Sequence, residues 1–316
     1  MADNNQAVAQ TGQTGIAKLK AMLDAPSVQE QFQNALKDNK NQFIASIIDL
    51  YNGDKSLQEC KPAAIVQECL KAAVLDLPIN RALGFAYVVV YKNKRKVTDP
   101  QTGRTEWVVE PTPTFIPGYK GYIQLAMRTG QYRTINADLV YEGELRTVNR
   151  LSGEVALDGK KKSDKVVGYF CYFELLNGYS KTLYMSVEDM AAYAKRYAPG
   201  IKKDTTIAQL IAKANDGIVS KSVGWEGNFN DMALKTVIRR LISKYGYLSI
   251  KMQSAISQDV ENGNRALLAR NDTLQIADAN PQYIAVEEIE VVDTETGEVT
   301  TGTTAEPPTE APEPNY

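Results

Sequence analysis

Three features of the sequence predict an α+β chain. Apolar residues recur at helical spacing through the first eighty positions. Aromatic and β-branched runs with turn signals fill the middle, and a long amphipathic helix lies near residue 240. The expected architecture is a set of N-terminal helices, then a central basic β-hairpin and antiparallel sheet with packed helices, then an acidic tail.

Residues 1–15 are rich in Gln, Asn, Thr and Gly without periodicity, and are expected to be flexible. Leu19 and Leu23 share one helical face behind Ile16, until Pro26-Ser27 interrupts. Val28, Phe32, Ala35 and Leu36 mark a second helix. Phe43, Ile44, Ile47, Ile48 and Leu50 mark a third, closed by Gly53. Pro62 suits the first turn of a fourth helix, whose apolar positions Ile65, Val66, Cys69, Leu70, Ala73 and Val74 stop before Leu77-Pro78. Residues 16–80 thus read as a helical segment for scaffolding or oligomer contacts.

An α+β core is expected over 81–250, opening with the stretch Phe85–Arg133. The run Phe85–Tyr91 passes into the basic Lys92-Asn93-Lys94-Arg95-Lys96. A turn signal at Asp99–Gly103 leads through Arg104 to a second run, Glu106–Glu110. A Pro/Thr connector carrying Phe115 follows, then a helical pattern from Gly118 through Tyr119 and Lys120 to Arg128. Two readings are open: a surface for a phosphate backbone and its bases, or a hairpin packed on a helix with solvated lysines.

Tyr132–Glu142 and Val166–Leu176 alternate as strands, with Glu144–Val148 as a candidate partner strand. Asn177-Gly178 is a hairpin turn before Thr182–Met185. Ser186 and Asp189 form a capping signature for a helix through Tyr197. A short helix is expected over 207–214, and a loop holding Lys221, Trp225 and Phe229 follows it.

The cleanest helix runs from Asp231 to Tyr245. At 100° steps Leu234, Val237, Ile238, Leu241 and Ile242 fall in one arc, while Lys235, Arg239, Arg240 and Lys244 fall opposite. A solvated face normally mixes signs, and this strip has no carboxylate after Asp231. Past Tyr247 the pattern weakens to a short helix near 266–270. Residues 251–316 read as a C-terminal region with a disordered tail.

Charge is segregated along the chain. The formal net charge is −2, yet eleven of the 38 acids lie beyond Arg270, where no Lys or Arg occurs. Residues 1–270 hold the other 27 acids and all 36 basic residues, a net of +9. A basic body with an acidic tail is a recurrent layout among nucleic-acid binders, and a merely solubilising tail is the alternative.

The chain has no histidine, and its cysteines are Cys60, Cys69 and Cys171, with no C-x-x-C pair. A zinc site is therefore not expected, and the usual serine or cysteine triads are excluded. Gly153–Lys161 fails as a phosphate-cradling loop: five residues separate its glycines, and Lys161 stands where Ser or Thr would bind magnesium. No ATPase or hydrolase motif is found, and no cofactor or metal is expected. No apolar run could span a bilayer and no signal peptide is recognisable, so a cytoplasmic protein is expected. What remains is basic residues interleaved with aromatics, including Tyr91 with Lys92, Tyr119 with Lys120, and Arg196 with Tyr197.

Gly84–Tyr91, Pro117-Gly118-Tyr119-Lys120-Gly121-Tyr122-Ile123-Gln124-Leu125-Ala126-Met127-Arg128-Thr129-Gly130 and Trp225–Lys244 resemble the RecT family of phage and prophage recombinases. The resemblance spans about Leu57 to Leu248. It implies ATP-independent annealing of single-stranded DNA by cooperative homo-oligomers, which hold the nascent duplex in a helical filament in the bacterial host cell. It also implies a partner exonuclease, contact between the C-terminal region and the host single-strand-binding protein, and a central unit similar to other annealing proteins. On this reading Lys120, Arg128, Lys221, Lys235, Arg239 and Arg240 contact phosphates, and Phe115, Tyr119 and Trp225 stack on or wedge between bases. Lys92, Lys94, Arg95, Lys96 and Arg104 face the second strand or a neighbouring protomer. A metal-dependent nuclease and a DNA-independent structural oligomer are the rivals.

Truncation after Arg270 is expected to leave annealing of naked strands intact or improved, and to slow annealing of strands coated with the host single-strand-binding protein. A strand-pairing assay on both substrates checks this, and equal loss on both contradicts a recruiting tail.

Overall fold

The computed structural model describes residues 15–98, 105–198, 200–216, 224–269, 291–292 and 299–300. For 93–98, 105–108, 264–269 and the last two segments it describes the backbone alone. Residues 1–273 and 274–316 are separate units. In the second, β8 (Val291–Val292) pairs antiparallel with β9 (Val299–Thr300). The remainder of the expected acidic tail, like the expected flexible residues 1–14, lies outside the described residues.

The first unit opens with helices α1 (15–23), α2 (Pro26–Leu36), α3 (Lys40–Gly53), α4 (Lys55–Gln58) and α5 (Pro62–Val74). The apolar arcs read from the sequence are the buried ones: Leu19, Leu23, Phe32, Phe43, Ile47, Ile65 and Cys69. Proline starts both α2 and α5, where its missing N–H leaves no bond unmade. Helix α5 ends in a Schellman turn. Leu77 N donates to Ala72 O at 3.0 Å and Asp76 N to Ala73 O at 2.8 Å, with Asp76 left-handed at φ 54°.

The hairpin pairs β1 (Ala86–Thr98) with β2 (Thr105–Pro117) in unbroken antiparallel register, from Ala86 opposite Pro117 to Thr98 opposite Thr105. Its root is buried through Ala86, Val88 and Phe115. Along β2, Pro111, Pro113, Phe115 and Pro117 share one phase of the alternation, whose N–H positions point away from β1. Three of the four are prolines, and the fourth N–H, that of Phe115, donates to Glu68 Oε2 of α5 at 2.8 Å.

Helix α6 (Tyr119–Met127) starts directly against the backbone before β1. Gly118 N donates to Phe85 O at 2.9 Å, and a Cβ on Gly121 would lie 2.2 Å from that same oxygen. The Gly-Tyr-Lys-Gly sequence is therefore a close-approach device: glycines face the backbone, Tyr119 packs half-buried against the core and Lys120 is exposed.

A three-stranded sheet follows in the order β3 (Tyr132–Tyr141), β6 (Val166–Leu175), β7 (Ser180–Ser186). Gly178 makes the β6–β7 turn at φ 84°. The segment 144–148 does not pair with β3 as expected. Glu144 turns back to accept from Tyr141 N at 2.8 Å, and β4 (Thr147–Asn149) pairs with β5 (Glu154–Ala156) in a small separate hairpin. One sheet face carries buried Tyr169, Cys171 and Phe173 toward the helices, while Thr134, Asn136 and Asp138 of β3 are exposed. Against the buried face pack α7 (Val187–Tyr197) and α9 (Phe229–Tyr245), with α8 (Ile207–Asn215) beside them.

Helix α10 spans Ile250–Ala269, where only a short helix near 266–270 was expected. Met252, Ala255 and Ile256 seat it against the core, at a spacing the sequence does contain. Weak helix formers among and after them, such as Ser254, Ser257 and Asn262, obscure it. All three cysteines are free and buried, and burial raises each thiol above its usual range.

Two glycine substitutions are expected to move stability in opposite directions. Gly121→Ala should destabilise by about 1–3 kcal/mol through overpacking. Gly263→Ala, in α10 with nothing within 4 Å, should stabilise by up to about 1 kcal/mol. Urea denaturation of the two variants checks both signs.

Candidate nucleic-acid interface

A cleft of about 280 Å³ opens where the hairpin root, α7, α9 and α10 meet. Tyr91 and Ile116 form its hairpin side, Tyr193 and Tyr197 its α7 side, and Trp225 and Met232 the approach to α9. Its floor is the side chains of Lys235, Arg239 and Asp259.

The floor is a buried charge cluster. Lys235 Nζ donates to Asp259 Oδ1, and Arg239 Nη1 donates to Asp259 Oδ2 at 3.1 Å. Only 8% of the Lys235 side chain and 10% of the Asp259 side chain are exposed, so neither charge is hydrated as it would be in the unfolded chain. Burial alone would raise the Asp259 carboxyl. The two cations outweigh it and hold that carboxyl below its ordinary value of 3.8. Lys235 is pushed the other way for a cation: burial lowers it, Asp259 opposes the shift, and the like charge of Arg239 adds to it. Arg239 stays charged and also donates to the Tyr193 hydroxyl at 3.1 Å. The buried Tyr122 hydroxyl of α6 faces the same carboxylate outside hydrogen-bonding geometry.

Around the rim, cations sit over rings. The Tyr193 and Tyr197 centroids are 4.9 Å apart, one helical turn along α7. Arg240 lies 5.3 Å from the Tyr193 centroid and Arg196 lies 5.1 Å from that of Tyr197, both within cation–π range. Both arginines are exposed and both rings half-buried. Trp225, 9% exposed, meets Phe229 edge-on at 5.3 Å.

The RecT family pattern matches residues 41–266, which take in the hairpin, α6, α9 and most of α10. The chain belongs to the RecT family. It is 36% identical over 267 residues to the uncharacterized protein YqaK of Bacillus subtilis, covering 84% of this chain and 80% of the relative. It is 26% identical over 249 residues to the protein RecT of Escherichia coli, covering 76% of this chain and 79% of that one. RecT family membership assigns the chain a role in DNA recombination by single-strand annealing.

The structure gathers Trp225, Lys235, Arg239 and Arg240 around the cleft, and the lining does not include Lys92, Phe115, Tyr119, Lys120 or Arg128. The strip on α9 is not a free basic face. Its carboxylate comes from Asp259, and only Arg240 and Lys244 of the four cations are exposed. Phe115 is wholly buried, and its carbonyl accepts from Asn262 of α10 at 3.0 Å, so its ring packs the core and not an open surface. Arg128 reaches the end of α5, donating to Leu75 O at 3.2 Å and Asp76 O at 2.8 Å, so its guanidinium is occupied as a helix cap. Tyr119 is half-buried and Lys120 exposed, its Nζ 5.9 Å from the Tyr119 centroid. Lys92 is exposed, 3.9 Å from Glu59. Lys94, Arg95 and Lys96 continue β1 opposite Val109, Val108 and Trp107. Lys221 and Arg104 lie outside the described residues.

Tyr193, Tyr197 and Asp259 are absent from the sequence-derived set. The i, i+4 pair of tyrosines beside Arg196 was a legible signal for the first two. Asp259 required recognising α10.

Asp259→Ala should destabilise the protein by about 3–5 kcal/mol, because it strands two buried cations. The Asp259 carboxyl is depressed in the folded state, so its stabilisation is present above the unfolded value near 3.8 and lost as pH falls below it. Denaturation from pH 7 to 3 should therefore show the stability gap between wild type and Asp259→Asn shrinking on the acid side.

Proposed function

We propose that this chain is an ATP-independent single-strand annealing protein. It coats single-stranded DNA as a cooperative, helical homo-oligomer, pairs it with a complementary strand and holds the duplex intermediate. The observation that carries this reading is the aromatic-lined cleft with exposed Arg196 and Arg240 stacked on its rim tyrosines. Exposed cations attract phosphates without regard to sequence, and ring faces accept any base.

Annealing is downhill once complementary bases meet, so it requires no nucleotide hydrolysis. The protein must neutralise backbone charge and leave base edges open to testing. Arg240, Lys244 and Lys120 are the exposed phosphate contacts in this reading, with Arg239 reached through the cleft. The hairpin lysines Lys92, Lys94 and Lys96, with Arg95, meet the second strand or a neighbour. Work in the bacterial cytoplasm beside an exonuclease that makes the single strands fits the same reading, with the C-terminal region contacting the host single-strand-binding protein. Residues 81–250 serve as the annealing core, 16–80 as scaffold or oligomer contacts, and 251–316 as the C-terminal region with the acidic tail.

Complementary oligonucleotides should anneal at low salt with no nucleotide present, and more slowly at high salt. Arg240→Ala should weaken single-strand binding and reduce the slope of log affinity against log salt by about 1. A requirement for ATP, or shortening of labelled strands with magnesium, would contradict the proposal.

A further inference from the structure

We infer that the cleft between the hairpin root, α7, α9 and α10 is a subsite for one nucleotide of the bound strand, with its phosphodiester on the floor and its base against the aromatic walls. This rests on the reading of the chain as a single-strand DNA binder and adds where one base goes.

Charge points to the ligand class. On the floor Lys235, Arg239 and Asp259 sum to +1 and are largely withdrawn from water, while the other carboxylate of the lining, Glu226, accepts from Lys202 N at 3.1 Å and Thr205 Oγ1 at 3.0 Å. One phosphodiester, carrying a single negative charge, neutralises the cluster, whereas a phosphate dianion overshoots it. The donors are also in excess. Asp259 has two oxygens, one taken by Lys235 and one by Arg239. The Tyr193 hydroxyl accepts from Arg239 and keeps its own proton to give. An acceptor-rich anion uses what one carboxylate leaves over.

Shape points to a base. Rings enter from three separate elements: Tyr91 from β1, Tyr193 and Tyr197 from α7, and Trp225 from the segment before α9. The volume of about 280 Å³ lies at the small end of ligand clefts, sized for one nucleotide and not for a run of stacked bases. Two polar side chains of the lining that could read a base edge are engaged elsewhere. Thr236 Oγ1 donates to Met232 O at 2.8 Å, and Asn262 Nδ2 to Phe115 O at 3.0 Å. The subsite therefore accepts any base by its π-face, as a protein that must coat arbitrary sequence requires. Holding one base per protomer out of the stack interrupts self-pairing of the strand before its complement arrives.

The chain has two tryptophans, Trp107 and Trp225, so Trp107→Phe in the full-length protein leaves Trp225 as the sole indole reporter. Two dye-labelled oligomers of equal length, oligo(dT) and its abasic counterpart, are titrated by anisotropy and by tryptophan emission. At saturation oligo(dT) should change Trp225 emission at least twofold more than the abasic strand does. Tyr197→Ala should weaken oligo(dT) binding by about tenfold, one stacking interaction. It should leave abasic binding within about twofold, which loss of fold would not do. Tight binding of both strands with equal emission change, or of oligo(dT) with none, overturns the subsite and leaves the annealing reading standing. Failure of both strands to bind overturns the annealing reading and the subsite together.

Discussion

Asp259 sits between two cations that belong to a different helix, and much of the fold's interior geometry converges on that carboxylate. Through Lys235 and Arg239 it fastens α10 to α9. The Tyr122 hydroxyl brings α6 beneath it, and one turn later Asn262 ties α10 to the hairpin root at Phe115. A buried ion pair is seldom a net source of stability, because removing each charge from water costs several kcal/mol. Its value here is specificity of arrangement: an apolar α10 could slide along α9, whereas a carboxylate with two fixed donors has one seat. The cleft inherits its shape from that seat.

The N-terminal helices act on the same region from the other side. Helix α5 presents Glu68 to the hairpin backbone and receives Arg128 of α6 at its own C-terminal end. The two most recognisable sequence motifs, the Gly-Tyr-Lys-Gly start of α6 and the basic helix α9, are thus held in place by residues that carry no motif. Exposure then divides the labour. Cations that are paired or capping build the scaffold, and those left in water, Lys120, Arg240 and Lys244 among them, are available to a polyanion.

What could be read from the sequence was whatever depends on near neighbours. The apolar arc of α9, the cap at Ser186, the Asn177-Gly178 turn and the two β runs of the hairpin all follow from spacing within a dozen residues. The errors were of contact at long range. Lys235 looked like a surface residue because its partner lies 24 positions later, in a helix whose pattern is weak. Phe115 looked exposed because a Pro/Thr connector ordinarily is, whereas here that connector completes a buried strand. Arg128 offers a cation to any anion in one dimension. In three dimensions it finds carbonyls at the end of α5.

The proline phase of β2 has a bearing on how the protein can crowd. A free strand edge invites another chain to extend the ladder, a hazard that grows with local concentration, and the coat on DNA proposed above would bring many copies side by side. On the root half of β2 the outward donors are missing at Pro111, Pro113 and Pro117, and the one at Phe115 is taken by Glu68. A neighbour therefore finds no free N–H donor there, and a full antiparallel ladder cannot form. Copies lined along DNA can touch through side chains while being barred from zipping backbone to backbone along that edge, which keeps reversible assembly separate from fibre formation.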